Sequence, residues 1–323
     1  MSHPDDSRWM AAALALSKRG QGRTASNPCV GCVIVREGRV VGRGWTQPGG
    51  RPHAEAMALV QAGTAARGAT AYVTLEPCAE PGRGPACAAS FVEAGVARVV
   101  AALHDPFPAV NGKGFSLLGA AGIALTVGPG AHEAERAMAG FLTRQRYARP
   151  HVTLKLALSL DGAAAMADGR SKWITGEAAR AHSHLQRALA DAILVGRGTY
   201  VSDAPHLGVR LSGLESRAPQ RVLLSRTTEA PAGWVVLRDL AEIGALNADR
   251  LFVEGGMGTA AAFLAADLVD RLLIYRAPLL IGDGRTLGDI GLRDIAEAQG
   301  QWKPTDSRRL GSDRLDVYER IRG

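Results

Sequence analysis

The sequence predicts an α/β protein built from two domains, and three observations carry that reading. Apolar runs of strand length, rich in β-branched residues, alternate with helical stretches along the whole chain. At 323 residues and 46% hydrophobic content there is material for two separate cores. At Arg149-Pro150 a helical pattern gives way to proline and then to a strand, which divides the chain into domains 1–149 and 150–323.

In the first domain, Trp9, Met10, Ala13, Leu14 and Leu16 recur at helical spacing over residues 7 to 19, and Gly20 or Gly22 ends the element. Val30 to Arg36 and Arg39 to Trp45, joined across Glu37-Gly38, read as a hairpin. Pro52 suits the first turn of a helix whose apolar face runs through Ala56, Met57, Leu59 and Val60 to Gly63, which places His53 and Glu55 in that turn. A strand over Ala71 to Leu75, a helix from Cys87 to Ala94 and a strand from Arg98 to Leu103 follow. Asn111 to Gly114 lacks the spacing of a phosphate loop and reads as a turn. Ile123 to Val127 is a strand and Glu133 to Arg146 a helix.

The second domain opens on the strand His151 to Ala157 and continues with a helix from Gly176 to about Ala190, capped by Thr175. Ala192 to Val195 is a buried strand. Arg221 to Leu224, Val235 to Leu237 and Leu251 to Val253 are shorter ones, and the last strands are Arg271 to Tyr275 and Leu315 to Glu319.

Composition excludes several classes. Four cysteines do not make a disulfide framework and fit a reducing compartment. The polar, acidic start Met1 to Arg8 lacks the basic lead of a signal peptide, and apolar Trp9 to Leu16 is too short to cross a bilayer. A soluble, cytoplasmic protein is expected, with no membrane partner. The balance of 38 basic to 31 acidic residues, +7 overall, could serve nucleic acid. The basic residues are scattered, however, and aromatics make up only 5%, so a phosphorylated small molecule is the better partner.

The chemistry concentrates at His53-Ala54-Glu55, answered by Glu76-Pro77-Cys78 and then Cys87. One imidazole and two thiolates make a zinc site with a position open to water, and an unpaired glutamate beside it suits proton transfer. A rival is a structural site of Cys29, Cys32, Cys78 and Cys87, since Cys29-x-x-Cys32 has ligand spacing. That rival leaves His53 and Glu55 without a task. In the second half, Gly196-Arg-Gly-Thr199 and Glu254-Gly-Gly-Met-Gly258 each follow a strand, and their amides could cradle a pyrophosphate, although neither has full dinucleotide-fingerprint spacing.

His-Ala-Glu followed by Pro-Cys and a later Cys resembles the zinc nucleobase deaminases. The long gap in Leu75-Glu-Pro-Cys-Ala-Glu-Pro-Gly-Arg-Gly-Pro-Ala-Cys87 narrows the likeness to the deaminase half of the bifunctional riboflavin-biosynthesis deaminase-reductases, as do Asn27-Pro-Cys-Val-Gly-Cys-Val33 and Asp105 to Gly114. Leu154 to Gly162, Ser171-Lys-Trp-Ile-Thr175, Asp191 to Gly196, Glu254-Gly-Gly256 and Leu268-Val-Asp270 resemble the reductase half.

The resemblance implies a cytidine-deaminase-like α/β/α domain followed by a dihydrofolate-reductase-like α/β domain, with one Zn2+ and NADPH as cofactors. It implies deamination of a phosphoribosylated pyrimidine, 2,5-diamino-6-(5-phosphoribosylamino)pyrimidin-4-one, then reduction of the product's ribosyl group to ribityl. His53, Cys78 and Cys87 would hold the metal, Glu55 would shuttle the proton and Asn27 would orient the pyrimidine. Ala157, Trp173, Thr199, Asp203 and the loop Gly256, Met257, Gly258 and Thr259 would line NADPH. Ser171, Arg187, Leu207, Arg210 and Glu254 would hold the reductase substrate, and family members are typically homo-oligomers. The chain departs from the family pattern at Ala79 to Ala86, at Phe107, Ala204 and Ser225, and in a short connection from Arg226 to Trp234. Two other readings remain open: a nucleic-acid deaminase, which gives residues 150 to 323 no purpose, and a non-catalytic module keeping a structural zinc.

Overall fold

The computed structural model describes residues 5–81, 84–107 and 111–322. The chain divides into two compact units, Met1–Ala148 and Arg149–Gly323.

In the first unit α1 (Asp6–Ser17) leads into the hairpin β1 (Gly31–Arg36) and β2 (Arg39–Trp45), turned by Glu37 and Gly38 in the left-handed region. Then come α2 (Ala54–Ala62), β3 (Thr70–Val73), α3 (Cys87–Glu93), β4 (Arg98–Ala101), α4 (Lys113–Ala120), β5 (Ala124–Val127), α5 (Ala131–Ala137) and α6 (Ala139–Tyr147). The sheet order is β2-β1-β3-β4-β5, with β1 antiparallel to both neighbours and β3, β4 and β5 parallel.

Small residues set the layers. A Cβ on Gly31 would lie 1.9 Å from the Ala13 carbonyl oxygen of α1, and one on Gly44 would lie 2.2 Å from that of Ala54 in α2. Gly31 pairs with Trp45, the neighbour of Gly44, so α1 and α2 cover opposite faces of the sheet. Gly42 meets Ala58 of α2 in the same way. Ala54, Ala58 and Ala62, spaced by four, therefore form the close-packed face of α2, and that seating fixes where its N-terminus points.

Two expectations change here. Met57 N–H donates to the His53 carbonyl, so His53 is the extended N-cap (φ −70°, ψ 161°) and Pro52 precedes the helix instead of sitting in its first turn. The helix expected over Glu133 to Arg146 is two, α5 and α6, because Met138 (φ −102°, ψ 15°) leaves helical geometry between them.

The second unit runs β6 (His151–Leu158), β7 (Ala165–Met166), α7 (Glu177–Ala188), β8 (Ala192–Gly196), α8 (Arg197–Asp203), β9 (Gln220–Leu224), β10 (Trp234–Leu237), β11 (Arg250–Val253), α9 (Met257–Ala265), β12 (Arg271–Arg276), β13 (Gly284–Arg285), α10 (Ile295–Ala298), β14 (Trp302–Leu310) and β15 (Asp313–Arg320). Its eight-stranded sheet has the order β10-β9-β8-β11-β6-β12-β15-β14. The strands from β10 to β12 are parallel, and β15 and β14 are added antiparallel. β8 and most of β11 are buried, as their unbroken apolar runs require.

β14 escapes sequence patterning because it is a polar edge strand carrying Pro304, with a register shift between Pro304 and Asp306. Thr175 does not cap α7. Gly176 is the N-cap, and its N–H donates to Asp313 Oδ2 at 2.7 Å. No helix among the described residues is long and apolar enough to cross a membrane.

Candidate active site

The N-cap position of His53 resolves the geometry of its motif. The imidazole projects off the end of α2, whereas Glu55 stays in the first turn, 4% exposed. Cys78 lies beyond the end of β3, and Cys87 is the first residue of α3. His53 Nδ1 is 3.4 Å from Cys87 Sγ and 3.8 Å from Cys78 Sγ, and one ligand atom from each of the three residues falls within 4.8 Å of the others. Tetrahedral zinc with ordinary Zn–S and Zn–N bonds separates such ligands by about 3.6 Å, so the three residues fit the ion.

The surroundings favour thiolate at Cys78. Hydrogen bonds from the Cys87 thiol, His53 and the Cys87 backbone N–H hold its pKa down to about 4, against the opposing effect of burial. The same contact with Cys78, together with burial, pushes the Cys87 thiol up. Burial also raises the Glu55 carboxyl above its usual range.

Neither remaining cysteine belongs to the ligand group among the described residues. Cys29 Sγ donates to the Ala137 carbonyl, and Cys32 is enclosed in β1 with no exposure. The all-cysteine alternative therefore fails among the described residues. Asn27 lies against Gly50, where a Cβ would fall 2.2 Å from its amide nitrogen. The family-like loop 105 to 114 and the loop 79 to 86 are only partly placed, since 82, 83 and 108 to 110 lie outside the described residues.

In the second unit the two glycine-bearing loops meet. Gly196 ends β8 and caps α8, while Gly256 caps α9. A Cβ on Gly196 would lie 2.0 Å from Thr259 Oγ1, and one on Gly255 2.6 Å from Thr259 Cβ. Thr259 is thus the packing piece between the loops and lines neither of the two cavities beside them.

The first cavity, about 510 Å3, takes in Ala157, Ser171, Trp173, Thr199 and Asp203. It also takes in Arg187, Leu207, Arg210, Glu254, Gly256 and Met257. The second, about 760 Å3, shares Ser171, Thr199, Asp203, Gly256 and Met257 with it and adds Gly258. Arg170, Lys172 and Arg285 line the second cavity, and no atom stands where a Cβ of Gly198 or Gly258 would be. Basic side chains beside glycine amides at the start of a nine-residue helix fit a phosphorylated dinucleotide.

The guanidinium of Arg187 is committed within the protein. Its Nε and a terminal nitrogen donate to the two oxygens of Glu254 at 2.6 and 2.8 Å, and its other nitrogen donates to the Gly208 carbonyl. Burial works against the Glu254 charge, but Arg187 and then Lys155 hold its carboxyl below the ordinary value. Lys155 and Tyr275 line the same cavity and were missed from the sequence. Lys155 had a signal, a charge inside the apolar strand Leu154-Lys-Leu156. Tyr275 had none, as it reads as core, yet its hydroxyl meets His182 Nδ1 at 2.7 Å.

Comparison with known proteins places both units. Residues 3–103 match the family model for the cytidine and deoxycytidylate deaminase zinc-binding region, and residues 150–315 match that of the RibD C-terminal domain. The riboflavin biosynthesis protein RibD of Escherichia coli is 40% identical, over 95% of this chain and 97% of its own. That of Aquifex aeolicus is 37% identical over 98% of each. The solved Acinetobacter baumannii RibD superposes with a TM-score of 0.90 at 36% identity, covering 98% of this chain and 99% of that one. The Thermotoga maritima diaminohydroxyphosphoribosylaminopyrimidine deaminase/5-amino-6-(5-phosphoribosylamino)uracil reductase gives 0.90 at 31% identity over 98% and 99%. The fold is accordingly a cytidine-deaminase-like unit followed by a dihydrofolate-reductase-like one, with a zinc-binding centre in the first and an NADPH-using architecture in the second. The chain belongs to the RibD family of bifunctional deaminase-reductases of riboflavin biosynthesis.

Proposed function

We propose that residues 1–149 deaminate 2,5-diamino-6-(5-phosphoribosylamino)pyrimidin-4-one and that residues 150–323 reduce the ribosyl group of the resulting 5-amino-6-(5-phosphoribosylamino)uracil to ribityl. The observation that carries this is the convergence of His53, Cys78 and Cys87 beside a buried Glu55. These substrates are the ones named for the Thermotoga maritima relative.

His53, Cys78 and Cys87 would hold the metal through one nitrogen and two sulfurs. Bound there, zinc would lower the pKa of the attacking water. Glu55 accepts the proton released by the water and delivers it to the ring nitrogen, then takes the second proton from the hydroxyl added to the ring carbon and delivers it to the amino group, which leaves as ammonia as the carbonyl forms. Asn27 orients the pyrimidine by its amide.

In the second unit NADPH supplies the hydride. Ala157, Trp173, Thr199, Asp203 and the Gly256, Met257 and Gly258 amides position it, and Thr259 acts from beneath by setting the spacing of the glycine loops. Ser171, Leu207, Arg210 and Glu254 surround the substrate. Arg187 holds Glu254 in place, leaving Arg210 the better placed of the two arginines for phosphate. The enzyme is read as a cytoplasmic homo-oligomer that takes neither nucleic acid nor membrane as a partner. Size exclusion of the full chain tests the oligomer.

Glu55→Gln tests the deaminase assignment. It keeps the ligands and removes the proton carrier, so zinc content holds while ammonia release falls by about a hundredfold or more. Deamination near the original rate would remove Glu55 from the mechanism.

A further inference from the structure

We infer that Glu76 is the positioning residue of the deaminase site, clamping Asp105 and the start of α4, Gly112 to Phe115, as a fixed wall beside the metal ligand Cys78; the inference rests on the deaminase reading above. Glu76 is 3% exposed and its carboxylate accepts four backbone N–H groups from one segment. Oε2 takes those of Asp105 and Gly112 at 3.2 and 3.1 Å, and Oε1 takes those of Gly114 and Phe115 at 3.0 and 3.3 Å. Among the described residues α4 has no side-chain cap of its own, Gly112 being its N-cap, and this distant carboxylate satisfies its first turn.

Two further contacts tie the same segment to the metal-ligand stretch. Gly114 lies against Pro77, where a Cβ would fall 1.9 Å from the Pro77 carbonyl oxygen. Lys113 Nζ meets Glu80 Oε1 at 2.9 Å, two residues past Cys78. Cys78 is in turn held to α3 by the Ala88 N–H on its carbonyl. Glu76 is therefore the joint at which the stretch bearing Cys78 meets Asp105 and the first turn of α4.

The consequence falls on substrate affinity. Without the carboxylate the wall is ordered only part of the time, and apparent affinity drops by that fraction. Glu55 and His53 sit on α2, held by Gly42 and Gly44, so the chemical step after binding is spared.

Glu76→Gln is the informative change, since it keeps the shape but turns one acceptor into a donor facing two N–H groups. In the full chain it is expected to retain one zinc, to raise the KM for the diaminopyrimidine phosphate by at least about tenfold, and to leave kcat within about threefold. Amide exchange over 105–107 and 112–115 is expected to accelerate, and NADPH oxidation on supplied 5-amino-6-(5-phosphoribosylamino)uracil to stay at the wild-type rate. Glu76→Asp, which keeps the charge, restores part of the KM. An unchanged KM, a loss confined to kcat, or zinc lost in proportion to activity would each overturn the assignment, the last by making Glu76 a support of Cys78 alone. Lys113→Ala, on an exposed ion pair, cannot unfold the unit. It is expected to raise KM by about twofold, and no rise would count against the clamp. Wild-type protein that releases no ammonia from the pyrimidine would instead refute the deaminase reading itself.

Discussion

Arg187→Met isolates the buried ion pair at the floor of the reductase cavity. The Arg187 and Glu254 side chains are 13% and 8% exposed and meet through two parallel hydrogen bonds. Methionine fills most of the arginine volume but leaves Glu254 buried with Lys155 as the neighbouring charge. Breaking a buried pair from one side costs about 3 kcal/mol or more, most of it the desolvated charge left behind. Adding Glu254→Gln removes that charge, and the double variant is expected to lie only about 1 kcal/mol below wild type, about 2 kcal/mol more stable than Arg187→Met alone. Urea unfolding followed through Trp173, Trp234 and Trp302 reports on this unit. The pH dependence supplies a sign. In the wild type the Glu254 carboxyl lies below its unfolded value, so its contribution is present above about pH 4.5 and is lost as pH falls through the lower folded pKa. In Arg187→Met burial dominates and the carboxyl rises, so the penalty is largest at neutral pH and shrinks in acid. A single-variant cost below about 1 kcal/mol, or additivity of the two changes, would refute the reasoning.

Gly196→Ala places a Cβ 2.0 Å from Thr259 Oγ1 on a backbone (φ −81°, ψ 164°) that alanine tolerates, so the cost is steric. It should destabilise by about 1–3 kcal/mol and weaken NADPH binding in a fluorescence titration, and Thr259→Ala should return most of both. Cys29→Ser should keep full zinc stoichiometry by atomic absorption, whereas Cys78→Ser should lose the ion. His151 is buried, its Nδ1 without a hydrogen-bond partner among the described residues, and burial lowers its pKa to about 4. The unfolded chain then takes up a proton near pH 6.5 that the native state refuses. Stability should decline by up to about 1.4 kcal/mol per pH unit between 6.5 and 4, and His151→Leu should flatten that slope in acid unfolding curves.

Strong periodicity made most of the fold legible. β8 and β11 are short, unbroken apolar runs, and Glu37-Gly38 names its own turn, so sequence placed both. What escaped depends on tertiary partners. β14 carries a proline and many exposed polar residues, and only pairing with β15 makes it a strand. α7 takes its cap from Asp313, more than a hundred residues away in sequence. The metal residues were readable because zinc chemistry demands those side chains. The task of Glu76 was not, because the four hydrogen bonds that define it come from backbone amides, which leave no side-chain signature. Thr259, expected at the cofactor, also packs against Gly196 and Gly255, a contact that no sequence pattern shows.

The most direct test of the whole account is one coupled assay on the full chain. Supplied with 2,5-diamino-6-(5-phosphoribosylamino)pyrimidin-4-one, the enzyme should release ammonia without NADPH, and with NADPH present should oxidise it only after deamination, one equivalent per ammonia. In Glu55→Gln both signals should disappear, and NADPH oxidation should return when the deaminated uracil is supplied. NADPH oxidation by Glu55→Gln on the undeaminated pyrimidine, or ammonia release with no oxidation to follow it in the wild type, would contradict the account.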